Sequence, residues 1–185
     1  MTSHPPIETQ PTVGKADAPV SIVEFGDFKC PACKSWGENI YPKLKKDYID
    51  KGVVKLSYIN VQFHGEESTL GSLAAESVYR HDSNSYWDFH KKLYGEQPGE
   101  NHDGQWITTE KLLKVAMETT DIDLQQLEND INEESTIEEV NLAESLVNAY
   151  QIQMTPTIII NSVLIENPFD YEKIVTIIEE EIEGN

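Results

Sequence analysis

The chain has 185 residues and a formal net charge of −19, from 14 Lys and Arg against 33 Asp and Glu. So acidic a chain lacks the basic footprint that a phosphate backbone demands, which excludes nucleic acid as a partner. Its apolar runs fall short of the ~20 residues that span a bilayer, and its length fits one domain, with room for an insertion, that can bury an ordinary core.

The charge is unevenly placed. Residues 1–64 carry a net +1 and residues 65–185 a net −20, with no Lys or Arg between Lys114 and Lys173. A solvated helical surface accounts for this; a site for a hard divalent cation such as calcium, with oxygen ligands, is the alternative. No D-x-[DN]-x-[DN]-G loop is present, so the metal-binding residues stay unknown.

Residues 1–11 read as a flexible polar tail without a basic-then-apolar signal pattern. That suits either a cytoplasmic protein or an exported one whose signal segment is absent from this sequence. VSIVEF, 20–25, is β-branched and aromatic, as a buried strand should be. Pro31 suits the first turn of a helix expected to run to about Asp50, kinked near Pro42 and ended by Gly52. VVKLSYINV, 53–61, is a second strand, which makes a βαβ unit with a right-handed crossover.

Apolar spacing near 3.6 then persists through most of 65–149. Thr108 or Thr109, and Asp121 or Asp123, are its candidate N-caps, and the turn-rich 97–106 is a loop. TPTIIIN, 155–161, and VLIE form a hairpin-like pair, followed by a last amphipathic helix, YEKIVTIIEEEI. The order βαβ, helical block, ββα predicts an α/β fold around a central mixed sheet, interrupted by helices from about residue 65.

Cys30 and Cys33 are the only cysteines, two residues apart at the strand-to-helix turn. Closing so short a loop constrains the unfolded chain little, so stability is a poor reason for the pair. Inert buried thiols are one reading, but the neighbours Asp27, Lys29 and Lys34 suggest a surface-facing turn. Zinc is a second reading, yet no other C-x-x-C exists and the five histidines lack H-x₃₋₅-H spacing. The third is a redox pair: one helical turn puts both thiols on one face, and the helix N-terminus stabilises a Cys30 thiolate. Cys30 then exchanges with a partner and Cys33 resolves the mixed disulfide.

Two further features fit the redox reading. Glu24 interrupts the apolar strand; it is either a solvent-facing acid or a buried carboxyl beneath Cys33 that moves protons during exchange. Pro156, in Met154-Thr155-Pro156-Thr157, must sit at a strand start or an edge.

In GKADAPVSIVEFGDFKCPACKSW, VQFHGEESTLGSLAAESVYR, YWDFHKKLYGEQ and YQIQMTPTIIINSVLI, the sequence resembles the DsbA-like branch of the thioredoxin superfamily, in its Gram-positive BdbD/DsbA type. The matching segments span nearly the whole chain. C-P-x-C after an acid-bearing strand, with T-P-T about 125 residues later, is the specific part.

The resemblance implies a thioredoxin-like fold with an inserted α-helical domain. Its first part covers 12–64, the insert 65–149 and its second part 150–185. Cys30 is expected as the exposed nucleophile and Cys33 as its buried partner. The Thr155–Pro156 bond is expected to be cis, to lie against the disulfide and to pair with an extended substrate segment. Pro31, Ala32 and Thr155 would tune the redox potential, with Glu24 beside them. Three positions depart from the family: Met154 where glycine is common, Asn161-Ser162 where Asn-Gly is common, and Ala32 where DsbA itself has His.

The expected function is a monomeric, extracytoplasmic protein-disulfide oxidoreductase. It would donate the Cys30–Cys33 disulfide to reduced, unfolded or flexible exported polypeptides, with no organic cofactor. A membrane partner delivering electrons to quinone is implied by the family. The rival on the same fold is a reductase or isomerase. The rival of another class is a non-enzymatic acidic module that binds a cation or a partner.

Overall fold

A computed structural model describes residues 3–100 and 103–184. A five-stranded mixed sheet runs in the order β1 (Thr12–Val13), β3 (Val54–Asn60), β2 (Val20–Gly26), β4 (Thr157–Ile160), β5 (Val163–Leu164). β2 and β3 pair in parallel from Val20↔Val54 to Gly26↔Asn60, and the other neighbours are antiparallel. The fold is the α/β architecture around a mixed sheet expected from the order of elements, in the thioredoxin-like form that the resemblance implies.

β2 is buried on both faces, which is why it reads as a continuous apolar run. Its residues still alternate. Val23 and Phe25 pack with Ala143 and Val147 of α7 (Ile137–Ala149). Val20 and Ile22 face Trp36 and Leu44 on one side of the sheet, with Ile174 and Ile178 of α8 (Tyr171–Glu183). Glu24 shares the parity of Ile22 and therefore faces the layer that holds Trp36.

The helix expected over 31–50 is broken. α1 (Pro31–Asn39) stops at Ile40, α2 (Tyr41–Leu44) restarts with Pro42, and a π-helical turn (Lys45–Ile49) follows. Pro42 has no N–H to continue the ladder and its ring crowds the preceding turn. Gly52, at φ +74°, closes the segment where a side chain would be strained.

Between β3 and β4 the described chain is helical: α3 (Glu66–His81), α4 (Tyr86–Gly95), α5 (Thr109–Thr119), α6 (Leu124–Asn132) and α7. Thr108 and Asp123 are the N-caps, accepting from Lys111 N–H and from Gln125 and Gln126 N–H. α3 to α6 pack around Phe28, Tyr58, Phe89 and Leu93 in a core that also includes both cysteines.

The N-terminal segment differs from a free tail over its described residues. Pro5, Gln10 and Pro11 are buried, Ile7 packs on the Val23 face, and Tyr150 Oη donates to His4 O at 2.9 Å. β1 follows directly, and was not apparent because a two-residue strand carries no periodicity.

Candidate active site

The C-terminal end of β2 delivers the chain into a tight turn. Asp27 organises that turn: its Oδ1 accepts Lys29 N–H at 2.9 Å, Ser68 Oγ donates to both carboxylate oxygens, and His64 Nδ1 lies 2.8 Å from Oδ2. Cys30 caps α1 in extended geometry, and Pro31 begins the helix. The N–H groups of Ala32 and Cys33 belong to the unpaired first turn of the helix and help to lower the Cys30 thiol, while Cys30 itself makes no side-chain cap hydrogen bond.

Both cysteines are free thiols here. Cys30 is 6% exposed and Cys33 1%, so the order of access is as expected but Cys30 is far less open than a surface nucleophile. Nor are its neighbours at the surface. Asp27 and Lys29 are buried, because each is partnered: Asp27 as above, Lys29 by an ion pair with Glu67. Charged residues in a sequence signal exposure only when nothing neutralises them.

The two thiols are driven apart electrostatically. Cys30 falls to about 6, chiefly because the Cys33 thiol donates to its thiolate, against the effect of burial; Thr155 and the Cys33 and Ala32 N–H groups add to the lowering. Cys33 is pushed well above the ordinary thiol range by burial, then by its bond to Cys30 and by the Cys30 and Glu24 charges. As a thiol, Cys30 donates to the Thr155 carbonyl oxygen at 3.4 Å.

Glu24 is buried, 3% exposed, which removes the solvent-facing reading. It pairs in register with Tyr58 of β3 and Ile158 of β4. Burial first, and the Cys30 charge second, raise its carboxyl to about 8. The Thr155–Pro156 peptide is cis and leads directly into β4. The structure thus brings Glu24, Cys30, Pro31, Ala32, Cys33, Thr155 and Pro156 to one end of the sheet.

Sequence reasoning missed several residues. Gln97, placed in a generic loop, is buried; its Nε2 donates to Phe28 O at 2.7 Å and to Cys30 O at 3.1 Å. Tyr58 Oη lies 2.7 Å from Tyr94 Oη behind the pair, and Gly26 is required there, since a Cβ would stand 2.5 Å from the Tyr58 ring. Gln97 carried no signal, because a buried amide that caps carbonyls looks like any polar loop residue. Among the described residues no three His, Cys, Asp or Glu side chains gather as a metal site, and no helix is long and apolar enough to cross a membrane.

Comparison with known proteins places this geometry. The family model described as Thioredoxin matches residues 7–180. Disulfide bond formation protein D of Bacillus subtilis is 44% identical over 184 residues, covering 100% of this chain and 82% of that protein. The probable disulfide bond formation protein D of Bacillus anthracis is 40% identical over 88% of this chain and 74% of its own. The crystal structure of oxidised BdbD from B. subtilis superposes with a TM-score of 0.96 at 43% identity, covering 99% of this chain and 98% of that one. Chlamydia trachomatis DsbA, at 24% identity over 97% and 94% of the chains, shares the fold with a TM-score of 0.84. With relatives of this closeness the non-enzymatic reading falls, and the chain belongs to the thioredoxin family, in its DsbA-like, disulfide-bond-forming branch, as a protein-disulfide oxidoreductase.

Proposed function

We propose that the oxidised protein passes its Cys30–Cys33 disulfide to reduced, unfolded or flexible exported polypeptides. A substrate thiolate attacks Cys30 Sγ, the Cys30–Cys33 bond breaks, and Cys33 leaves with the electron pair. A second substrate thiolate then attacks the substrate sulfur of the mixed disulfide and expels Cys30. The substrate loses two electrons and the cysteine pair gains them.

The observation that carries this direction is the opposite displacement of the two thiols. Cys30 is a good leaving group because its thiolate is stabilised, which favours the reduced enzyme and an oxidised substrate. Cys33 is a poor one, and Glu24, neutral up to about 8, is the group that would give it a proton. Thr155 and Pro156 would present backbone to an extended substrate segment beside Cys30, and Pro31 and Ala32 would tune the pair from within the helix turn. The helices between β3 and β4 would act as an insert capping this end of the sheet.

The protein is read as a monomer acting outside the cytoplasm, reoxidised by a quinone-linked membrane partner. Disulfides persist in oxidising compartments, and the absence of other cysteines prevents internal mispairing. The test is equilibration of the pair against a glutathione buffer. A pair more oxidising than the buffer's middle range supports donation; a pair as reducing as a structural disulfide makes the protein a reductase.

The calcium reading of the acidic half keeps one support. Gln10 Oε1, Asn60 Oδ1 and Glu139 Oε2 are buried without hydrogen-bond partners. Gln10, Glu139 and Glu76 line a cavity of about 500 Å³. Glu76 is raised to about 7 by burial first and by the Glu139 charge second, an arrangement that a hard cation would relieve. Calcium should then raise the melting temperature relative to a chelator; equal melting in both would remove this reading.

A further inference from the structure

Besides the Ser68–Asp27 and Gln97 contacts, the turn that carries Cys30 is tied to the helical block through a second carboxylate. Glu67, in the first turn of α3, accepts the N–H groups of Trp106 and Ile107 on Oε1, each at 2.7 Å. Its other oxygen pairs with Lys29 Nζ, and Lys29 immediately precedes Cys30. Lys29 Nζ also donates to Gly104 O at 3.3 Å. The Lys29 and Glu67 side chains are 6% and 16% exposed, so this is an inner joint and not a surface pair. Trp106 and Ile107 belong to the same apolar cluster as Cys30, Cys33 and Phe28. α3 approaches them closely at Gly71, where a Cβ would already touch Phe28 and Ile107 at 3.4–3.6 Å.

We propose that Glu67 is a positioning residue of the redox centre: by clamping the Trp106–Ile107 backbone and the Lys29 side chain, it fixes the turn that aims the Cys30 sulfur at its hydrogen-bond donors. The thiolate is held by donors whose worth depends on angle and distance. A turn free to shift would lose part of that stabilisation although every donor remained in the chain. No element of the exchange passes through Glu67 itself, so its effect is read through Cys30.

The inference rests on the redox reading of the pair, not on its direction, because the test compares variants with the wild-type protein. Three substitutions separate the two arms of the clamp. Glu67→Gln keeps an oxygen at the same reach for Trp106 and Ile107 and removes the ion pair. Glu67→Asp keeps the charge and withdraws the oxygens by one methylene. Glu67→Ala removes both; should it not fold, the other two decide. The readouts are the thiolate absorbance titration of reduced Cys30 and the equilibrium constant with glutathione.

Glu67→Asp and Glu67→Ala should raise the Cys30 midpoint and make the disulfide less oxidising, by about tenfold in the equilibrium constant, the scale of one charge-assisted hydrogen bond. Glu67→Gln, which loses the Lys29 arm alone, should shift in the same direction by about threefold, less than the Ala variant. Unchanged midpoints in Asp and Ala variants that merely melt earlier would overturn the proposal, leaving Glu67 a stabilising residue only. A Gln variant that keeps the wild-type midpoint would also overturn it, since Lys29 is the arm through which Glu67 reaches the Cys30 turn.

Discussion

Cys30 Sγ stands 3.4 Å from the carbonyl oxygen of Thr155, a residue 125 positions later in the chain. The contact joins the N-terminus of α1 to the entry of β4, the two places where the sheet ends and backbone polar groups lack partners. One side can hold a thiolate and the other can offer unpaired backbone to an incoming strand. Neither suffices alone: a helix N-terminus without the loop would only lower a thiol, and the loop without the thiol would only bind.

Thr155 should therefore act on the thiol as well as on the substrate. Its side chain is among the groups that lower Cys30. Thr155→Val keeps the shape and removes the hydroxyl. The Cys30 titration midpoint should rise by up to about one unit, the worth of one hydrogen bond. Thiolate absorbance against pH measures it, and a midpoint identical to wild type would show that the hydroxyl plays no part.

The division of labour between the cysteines predicts an asymmetry in trapping. In Cys33→Ser the Cys30 thiolate can attack a disulfide of an oxidised, unfolded polypeptide and expel one substrate thiolate, and no internal thiol can resolve the resulting mixed disulfide, so adducts should accumulate. Cys30→Ser leaves only a buried, protonated thiol (1% exposed), and adducts should be absent. Mass spectrometry of non-reduced samples distinguishes the two. Equal adduct yield from both variants would contradict the assignment of roles.

Stability should depend on pH differently in the two redox states. The folded Cys30 value, about 6, lies below that of a free thiol, ~8.5. Its contribution to the reduced protein is thus fully present above the unfolded value and is lost as pH falls through 6. The disulfide form has no such thiol. The melting temperature of the reduced protein minus that of the oxidised should therefore grow between pH 6 and about 8.5, stay flat below, and turn down above ~8.5, where the unfolded Cys33 thiol ionises and the folded one, held high by burial, does not. Glu24, raised to about 8, works in the opposite sense: its native proton is bound more tightly, so it subtracts stability in both states as pH rises from the ordinary carboxylate range. Comparing redox states at each pH removes most of that shared effect. A difference that does not change with pH would mean that Cys30 is an ordinary thiol.

Much of this site was legible because its signals are local. Cys30-Pro31-Ala32-Cys33 after VSIVEF specifies strand, turn and helix start in fourteen residues, and Glu24 stands out as an acid among Val, Ile and Phe. The opening of the site was misjudged for the opposite reason. Lys29 and Asp27 look like surface residues until Glu67 and Ser68, some forty positions away, are folded against them. Gln97 and Glu67 were invisible for a related cause, since the partners of Gln97 and two of the three partners of Glu67 are backbone groups, which every residue type possesses. Pro42 was legible as a kink, but not the π-helical turn after it, which no side chain at Lys45–Ile49 announces.

Glu24 offers the sharpest test of the chemistry. When a substrate thiolate opens the disulfide, Cys33 leaves into a buried place where its negative charge is strongly disfavoured. A proton must arrive as the bond breaks, and the carboxyl of Glu24, still protonated at neutral pH, faces the same layer of the sheet. Glu24→Gln preserves volume and polarity but cannot give up a proton. The single-turnover reaction of the oxidised enzyme with a thiol peptide should slow by about 100-fold near pH 7, at the lower end of general acid catalysis. Wild-type protein should approach the variant's rate as pH rises past the Glu24 midpoint, which burial alone holds above the ordinary carboxylate range when no Cys30 thiolate is present, because Glu24 then has no proton left to donate. The rate–pH profile of both proteins, corrected for ionisation of the attacking thiol, decides the matter. Parallel profiles separated by no rate difference would assign the proton to solvent, and Glu24 would then matter only for the electrostatics of the folded pair.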